Sequence, residues 1–191
     1  MRWDTLGAFG LCGIIPTMLW RFWKKNPQVI LLRIKTPDKT PFLFSAVYAN
    51  PRLERRRELW DVLRDWHLRF EEPWLLARDF DEILSVDEKK GGAPVDLGRC
   101  SEFAAALDDC QLMDMGSYGP LFTWKGPKFA HLNRVFKRLD RVVANVNWRN
   151  AYEEAVIKIL PRTCSDHNPL LICLSPANCD WEERPFRFFP P

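Results

Sequence analysis

Two short segments constrain this chain more than anything else in it. Trp74-Leu-Leu-Ala-Arg-Asp-Phe-Asp-Glu-Ile-Leu84 runs four apolar residues almost directly into Asp79 and Asp81. Ser165-Asp-His-Asn-Pro-Leu-Leu171 sets Asp166 and His167 just ahead of the apolar run Leu170 to Leu174. Between them, Arg138-Leu-Asp-Arg141 opens a third run that carries one carboxylate, Asp140. Short apolar runs bounded by polar residues suit strands buried on both faces. Carboxylates and one histidine at the ends of such strands suit metal-assisted attack on a phosphodiester. The metal ligands, the base and the group that orients the base then come from separate strands.

The rest of the chain supports one mixed domain. Its 191 residues suffice for one sizeable core and fall short of two large ones. With 47% hydrophobic and 28% charged residues it is ordinary for a globular protein, and a net charge of +3 permits nucleic-acid binding without arguing for it. Phe42 to Ala49 reads as a buried strand, and Asn50-Pro51 as a helix start. Leu59, Leu63, Trp66 and Phe70 then give one apolar helix face, while Arg52, Arg55, Arg56 and Arg57 on the same helix read as a solvated face. A second helix is expected over Asp96 to Cys110. Short strands are expected at 112–115, 121–124, 139–144, 155–160 and 170–174, with a helical turn at 148–152. Helices early and closely spaced strands late predict an α/β fold. The six cysteines include no C-x-x-C pair and read as reduced thiols, which favours a reducing compartment.

Taken in order, these motifs resemble the endonuclease/exonuclease/phosphatase (DNase I-like) superfamily, and more narrowly the endonuclease domain of plant LINE-type non-LTR retrotransposon polyproteins. The resemblance rests on Phe44-Ser-Ala-Val-Tyr-Ala-Asn-Pro51, Trp74 to Leu84, Gly119-Pro-Leu-Phe-Thr-Trp-Lys-Gly126, Arg138-Leu-Asp-Arg141, Leu160-Pro-Arg-Thr-Cys-Ser-Asp-His167 and Pro185-Phe-Arg-Phe188. It covers roughly residues 41 to 189. It implies a two-sheet β-sandwich flanked by helices, lacking part of the N-terminal strands, with the active site at one end. It also implies Mg²⁺ as cofactor and DNA as substrate.

Residue by residue, the resemblance makes Asp79 the aspartate of a Gly-Asp-Phe-Asn motif that here reads Arg78-Asp79-Phe80-Asp81. Both flanking positions depart from the motif, and Asp81 can only accept where asparagine would also donate. His167 matches the histidine beside the scissile phosphate, and Asp140 the carboxylate that fixes its tautomer. Asp166 matches the acidic neighbour and is the candidate metal ligand, while Tyr48 matches a tyrosine near the phosphate. Tyr48 reads equally well as a core aromatic. Lys125, Lys128, Arg134, Lys137, Arg138 and Arg141 put six positive charges within 17 residues, which suits a loop gripping DNA backbone or a solvated face.

Before Tyr48 we find neither the strand asparagine nor the metal-binding glutamate of relatives, since no Glu precedes Glu54. Residues 1–40 are therefore expected to form a divergent segment that packs poorly, 41–176 the endonuclease-like domain, and 177–191 a tail resembling the start of a linker to a reverse transcriptase. The uncharged run Thr5 to Trp20 is 16 residues and contains Pro16, short of the ~18 that a membrane span needs. It reads as the edge of a globular domain, with a signal anchor as the alternative. The preferred expectation is a catalytically impaired remnant of a retroelement endonuclease. It would be monomeric and nuclear or cytoplasmic rather than secreted. An active DNA-nicking enzyme, a phosphatase of the same superfamily and a non-catalytic nucleic-acid-binding protein are the alternatives.

Overall fold

The computed structural model describes residues 19–35, 39–131 and 133–175. The expectations for most of Thr5 to Trp20, for the 177–191 tail and for Pro185-Phe-Arg-Phe188 lie outside them. A hairpin of Leu19–Asn26 (β1) and Val29–Lys35 (β2) leads into Phe42–Tyr48 (β3). Helix Leu53–Arg69 (α1) then connects β3 to Trp74–Asp79 (β4), which pairs with β3 in parallel. Next come a 3₁₀ turn at Val86–Glu88, Lys89–Lys90 (β5), Leu97–Asp109 (α2), Met113–Asp114 (β6), Trp124–Lys125 (β7) and Phe136–Lys137 (β8). Asp140–Ala144 (β9), Val146–Ala151 (α3), Val156–Ile159 (β10) and Leu170–Cys173 (β11) complete the described chain.

The principal sheet runs β1-β2-β3-β4-β9-β6, and β10-β11 and β5-β8-β7 form two smaller ones. Strands buried on both faces alternate their side chains between two apolar layers. Leu31, Leu43, Val47, Leu76 and Val143 meet Leu59, Leu63, Phe103 and Leu107 from α1 and α2. Ile30, Ala46, Leu75, Ala77 and Val142 face the other way, against Trp148, Tyr152 and Ile157 from α3 and β10. This is an α/β arrangement of mixed and antiparallel sheets with flanking helices, as the resemblance implies, with the second layer divided into two small sheets.

Three expectations need correction. β2 is almost wholly buried and pairs along its length with β3, so residues 29–35 belong to the main sheet and do not pack poorly. The sequence cue was the unbroken apolar run Val29-Ile-Leu-Leu32, which shows no alternation because both faces are covered. Helix α1 begins later than Asn50-Pro51: Arg52 is the N-cap, and the Asn50 side chain instead accepts the Arg52 N–H at 2.9 Å. Cys100 and Cys110 are buried free thiols and Cys164 an exposed one, whereas Cys173 is disulfide-bonded. Among the described residues, no helix is long and apolar enough to cross a membrane.

Candidate active site

Register builds the site. Tyr48 stands opposite Asp79 in the parallel β3–β4 pair, and Asp79 opposite Asp140 in the antiparallel β4–β9 pair. Directly opposed residues on neighbouring strands share a face. All three therefore lie in one row at one end of the sheet, on the side turned toward β10 and β11. Asp79 and Asp140 are buried, and Tyr48 is 52% exposed on the rim. The fourth member arrives from the segment between β10 and β11. His167 Nδ1 lies 2.7 Å from Asp140 Oδ2, and its Nε2 lies 3.9 Å from Asp79 Oδ2. With Asp140 ionised, the proton sits on Nδ1 and donates to the carboxylate.

The stretch Thr123–Lys125 ties both halves of this pair together. The buried Thr123 hydroxyl oxygen accepts the backbone N–H groups of Leu139 at 2.9 Å and Asp140 at 2.8 Å. The Thr123 carbonyl accepts the Asn168 N–H at 2.7 Å, next to His167 in the chain. The Asn168 side chain is held in turn by Arg162 and by the Leu160 carbonyl. Thr123 is thus a support that the motif reading leaves out, although it lies within the Leu-Phe-Thr-Trp stretch.

Where β4 ends the backbone is unusual. Arg78 has φ 104° and Asp81 φ 49°. Asp81 suits a left-handed turn, because a short polar side chain tolerates it, but a long side chain at Arg78 does not. The turn lets the Asp81 N–H donate to Asp79 Oδ1 at 2.9 Å. The Asp81 carboxylate itself accepts from Arg56 Nη1 at 2.9 Å, and Arg56 Nη2 reaches Glu82 at 2.6 Å. Arg99 Nε also donates to Glu82, at 2.9 Å. Arg56 is fully buried, which overturns the solvated reading of that helix position. It sits three and four residues before the buried Leu59 and Trp60, a spacing that could have placed it on the inner face.

Electrostatics mark the trio as strained. Burial raises the Asp79 carboxyl to about 7, and the neighbouring Asp140 charge pushes the same way. Burial alone would lower the His167 imidazole, but the Asp140 hydrogen bond and charge, with Asp79 and Asp166, raise it above its ordinary value. Asp140 Oδ1 is buried without a hydrogen-bond partner, with Arg78 Nη1 3.9 Å away. Perturbed titratable groups at the mouth of a sheet are a frequent signature of chemistry.

Asp79, Asp140 and His167 offer ligand atoms within 4.8 Å of one another. Two carboxylates, one with an orphaned oxygen, fit a divalent cation that takes oxygen and imidazole ligands. Asp166 is not in this group. Its carboxylate is exposed, accepts the Trp124 indole N–H at 3.0 Å, and is held below its ordinary range by that bond and by nearby positive charge, against a burial effect that would raise it. The structure thus places Asp166 beside the trio, on the Trp124 indole, rather than within it.

The basic stretch divides. Arg141 is fully buried and Arg138 mostly so, and both are bound to Glu88 and Asp114 at 2.7–2.9 Å. Neither is available to grip DNA, because a strand buried on both faces draws its charges inward and pairs them. The Arg134 side chain caps the Gly126 carbonyl, and Lys137 is half-buried over the Trp124 ring. Lys128 is exposed and Lys125 partly so.

No protein-family model and no curated protein matches this chain. Solved structures do. The endonuclease domain of TRAS1, a telomere-specific non-LTR retrotransposon, superposes with a TM-score of 0.66 at 13% identity, over 88% of this chain and 72% of that one. An endonuclease/exonuclease/phosphatase family protein from Leptotrichia buccalis covers 84% of this chain and 61% of its own, at 13% identity and a TM-score of 0.49. The first of these superpositions shows the fold: the chain has an α/β, DNase I-like fold similar to that endonuclease domain.

Proposed function

We propose that Asp79, Asp140 and His167 form a phosphodiester-hydrolysing site of the retroelement-endonuclease kind, acting on DNA and weakened in this chain. The observation that carries the reading is His167, bound through Nδ1 to Asp140 while its Nε2 faces Asp79. Asp140 fixes the tautomer, which leaves Nε2 as the proton-accepting atom on the open side. Asp79, raised to about 7 and held by the Asp81 N–H, is poised to accept a proton from water near neutral pH. Asp79 and Asp140 would hold a divalent cation, Mg²⁺ by the resemblance, and when bound it would stabilise charge on the phosphate and leaving oxygen. Tyr48 on the rim, with Lys125 and Lys128, would receive the phosphate backbone.

Two features support weakening. Arg78 replaces the motif's glycine at a positive φ and leans its guanidinium toward Asp140. Asp81 replaces an asparagine and has no N–H on its side chain to offer a phosphate. The closest biological reading is a degenerate LINE-type endonuclease, and the resemblance favours the plant branch.

Nicking of supercoiled plasmid in Mg²⁺ or Mn²⁺ tests this. We expect little or none from the native chain, and His167-dependent nicking from the double variant Arg78→Gly, Asp81→Asn. Strong nicking by the native chain that His167→Ala abolishes would keep the site and refute the weakening. A folded double variant that stays inert would overturn the phosphodiesterase reading.

A further inference from the structure

The turn that presents Asp79 is held from the far side by one residue. Arg56 is wholly buried, yet three of its hydrogen bonds converge on this region: to the Asn50 carbonyl at 2.9 Å, the Asp81 carboxylate at 2.9 Å and the Glu82 carboxylate at 2.6 Å. Asn50 follows β3, whereas Asp81 and Glu82 follow β4, so a single guanidinium from α1 clamps the exits of two neighbouring strands. A planar fork with several fixed donors can do this, and the point charge of lysine cannot. Asp81 is the position where the chain departs from the motif's asparagine. A free carboxylate there would repel phosphate or compete for a cation, but this one is engaged.

We propose that Arg56 is the positioning residue of the site. It fixes the Asp81–Glu82 turn so that the Asp81 backbone N–H holds Asp79, and it takes up the Asp81 carboxylate as its counterion. Asp81 is then neither a cation ligand nor a repulsive wall: its charge is taken up within the fold, although its side chain still has no N–H to offer a phosphate. The metal arm of the proposal rests on the phosphodiesterase reading above. The positioning arm does not.

Amide hydrogen exchange followed by NMR tests the positioning. In Arg56→Lys the amide at position 81 should exchange at least tenfold faster, while those of Ala77 and Val143 in the adjoining strands change less than twofold. If position 81 accelerates no more than those strand amides, Arg56 is only a general support and the proposal fails. Should Arg56→Lys not fold, Asp81→Gly decides. Glycine suits the φ of 49°, removes the anchor and frees the backbone as well, so the same local acceleration is expected at the least, and its absence overturns the proposal. Calorimetric titration with Mn²⁺ tests the ligand assignment. Asp81→Asn should bind within twofold of the native chain and Asp79→Asn at least tenfold more weakly. A tenfold loss in Asp81→Asn would make Asp81 a ligand and refute its role as counterion. A native chain that binds no Mn²⁺ would count against the phosphodiesterase reading, leaving the exchange result to judge Arg56.

Discussion

Two buried charge clusters flank β9 and are built on opposite logic. Glu88, Asp114, Arg138 and Arg141 match two carboxylates with two guanidiniums, in four ion pairs of 2.7–2.9 Å. Asp79 and Asp140, on the other face of the same strands, share His167, with the Arg78 guanidinium no nearer than 3.9 Å, and one Asp140 oxygen has no hydrogen-bond partner. The first cluster is neutral and locks the 3₁₀ turn, β6 and the start of β9 together. The second is left short of positive charge. A group arranged for structure completes its own electrostatics, while one arranged for chemistry leaves part to be supplied from outside.

The comparison breaks most visibly at Arg141. Replacing it with methionine leaves Glu88 and Asp114 sharing the single guanidinium of Arg138, and should cost about 3–5 kcal/mol in urea unfolding. A loss below about 1 kcal/mol would show that the matched cluster is not a structural lock.

The next effect is a contrast in pH dependence. Asp79 is raised, so its protonated form favours the fold: that stability is present below pH ~4 and is lost as pH rises toward 7. His167, also raised, adds in the same direction, its share being lost as pH climbs through its folded value. Glu88 runs the other way. Burial opposes its ionisation, but Arg141 and Arg138 overcome that and lower it, so its stability is lost as pH falls below the ordinary glutamate range. Asp79→Asn should therefore stabilise the protein at pH 8 by on the order of 2–4 kcal/mol and flatten the neutral limb of the stability curve. Glu88→Gln should flatten only the acid limb. Thermal melts from pH 3 to 8 would show it, and an unchanged neutral limb in Asp79→Asn would remove the case for a strained site.

A smaller gain is expected at Arg78→Gly, about 1 kcal/mol from relief of the positive φ, measured by the same unfolding assay. The smallest effect belongs to Lys128→Ala. Its stability should not change, but the slope of DNA affinity against salt should fall by about one, because on the proposed surface the exposed charge would contact phosphate rather than protein. An unchanged slope would take Lys128 out of the DNA surface.

The sequence made the trio legible because Asp79, Asp140 and His167 each abut an apolar run, and strand ends must meet at the sheet's edge. It misled where charge stood in for exposure. Arg56 lies in the run Arg55-Arg-Arg57, which reads as solvated until its helical spacing to Leu59 and Trp60 is weighed. Arg138 and Arg141 look like DNA contacts in a list of basic residues, but their carboxylate partners come from 24 to 53 positions away. No local pattern reports a pairing over that distance. β2 was missed for a different reason: its cue, the unbroken run Val29-Ile-Leu-Leu32, has no period and lies in the stretch whose lack of family motifs reads as divergent.

The β7–β8 hairpin closes on itself at its root. Gly126 donates to the Val135 carbonyl at 2.8 Å, and the Arg134 side chain returns to the Gly126 carbonyl at 2.7 Å. Everything that Thr123 and Trp124 do for the His167 segment happens below that closure. The loop beyond it is therefore mechanically insulated. Its length and composition can drift, and with them the shape offered to a partner, while the distance between His167 and Asp140 stays where the fold has set it.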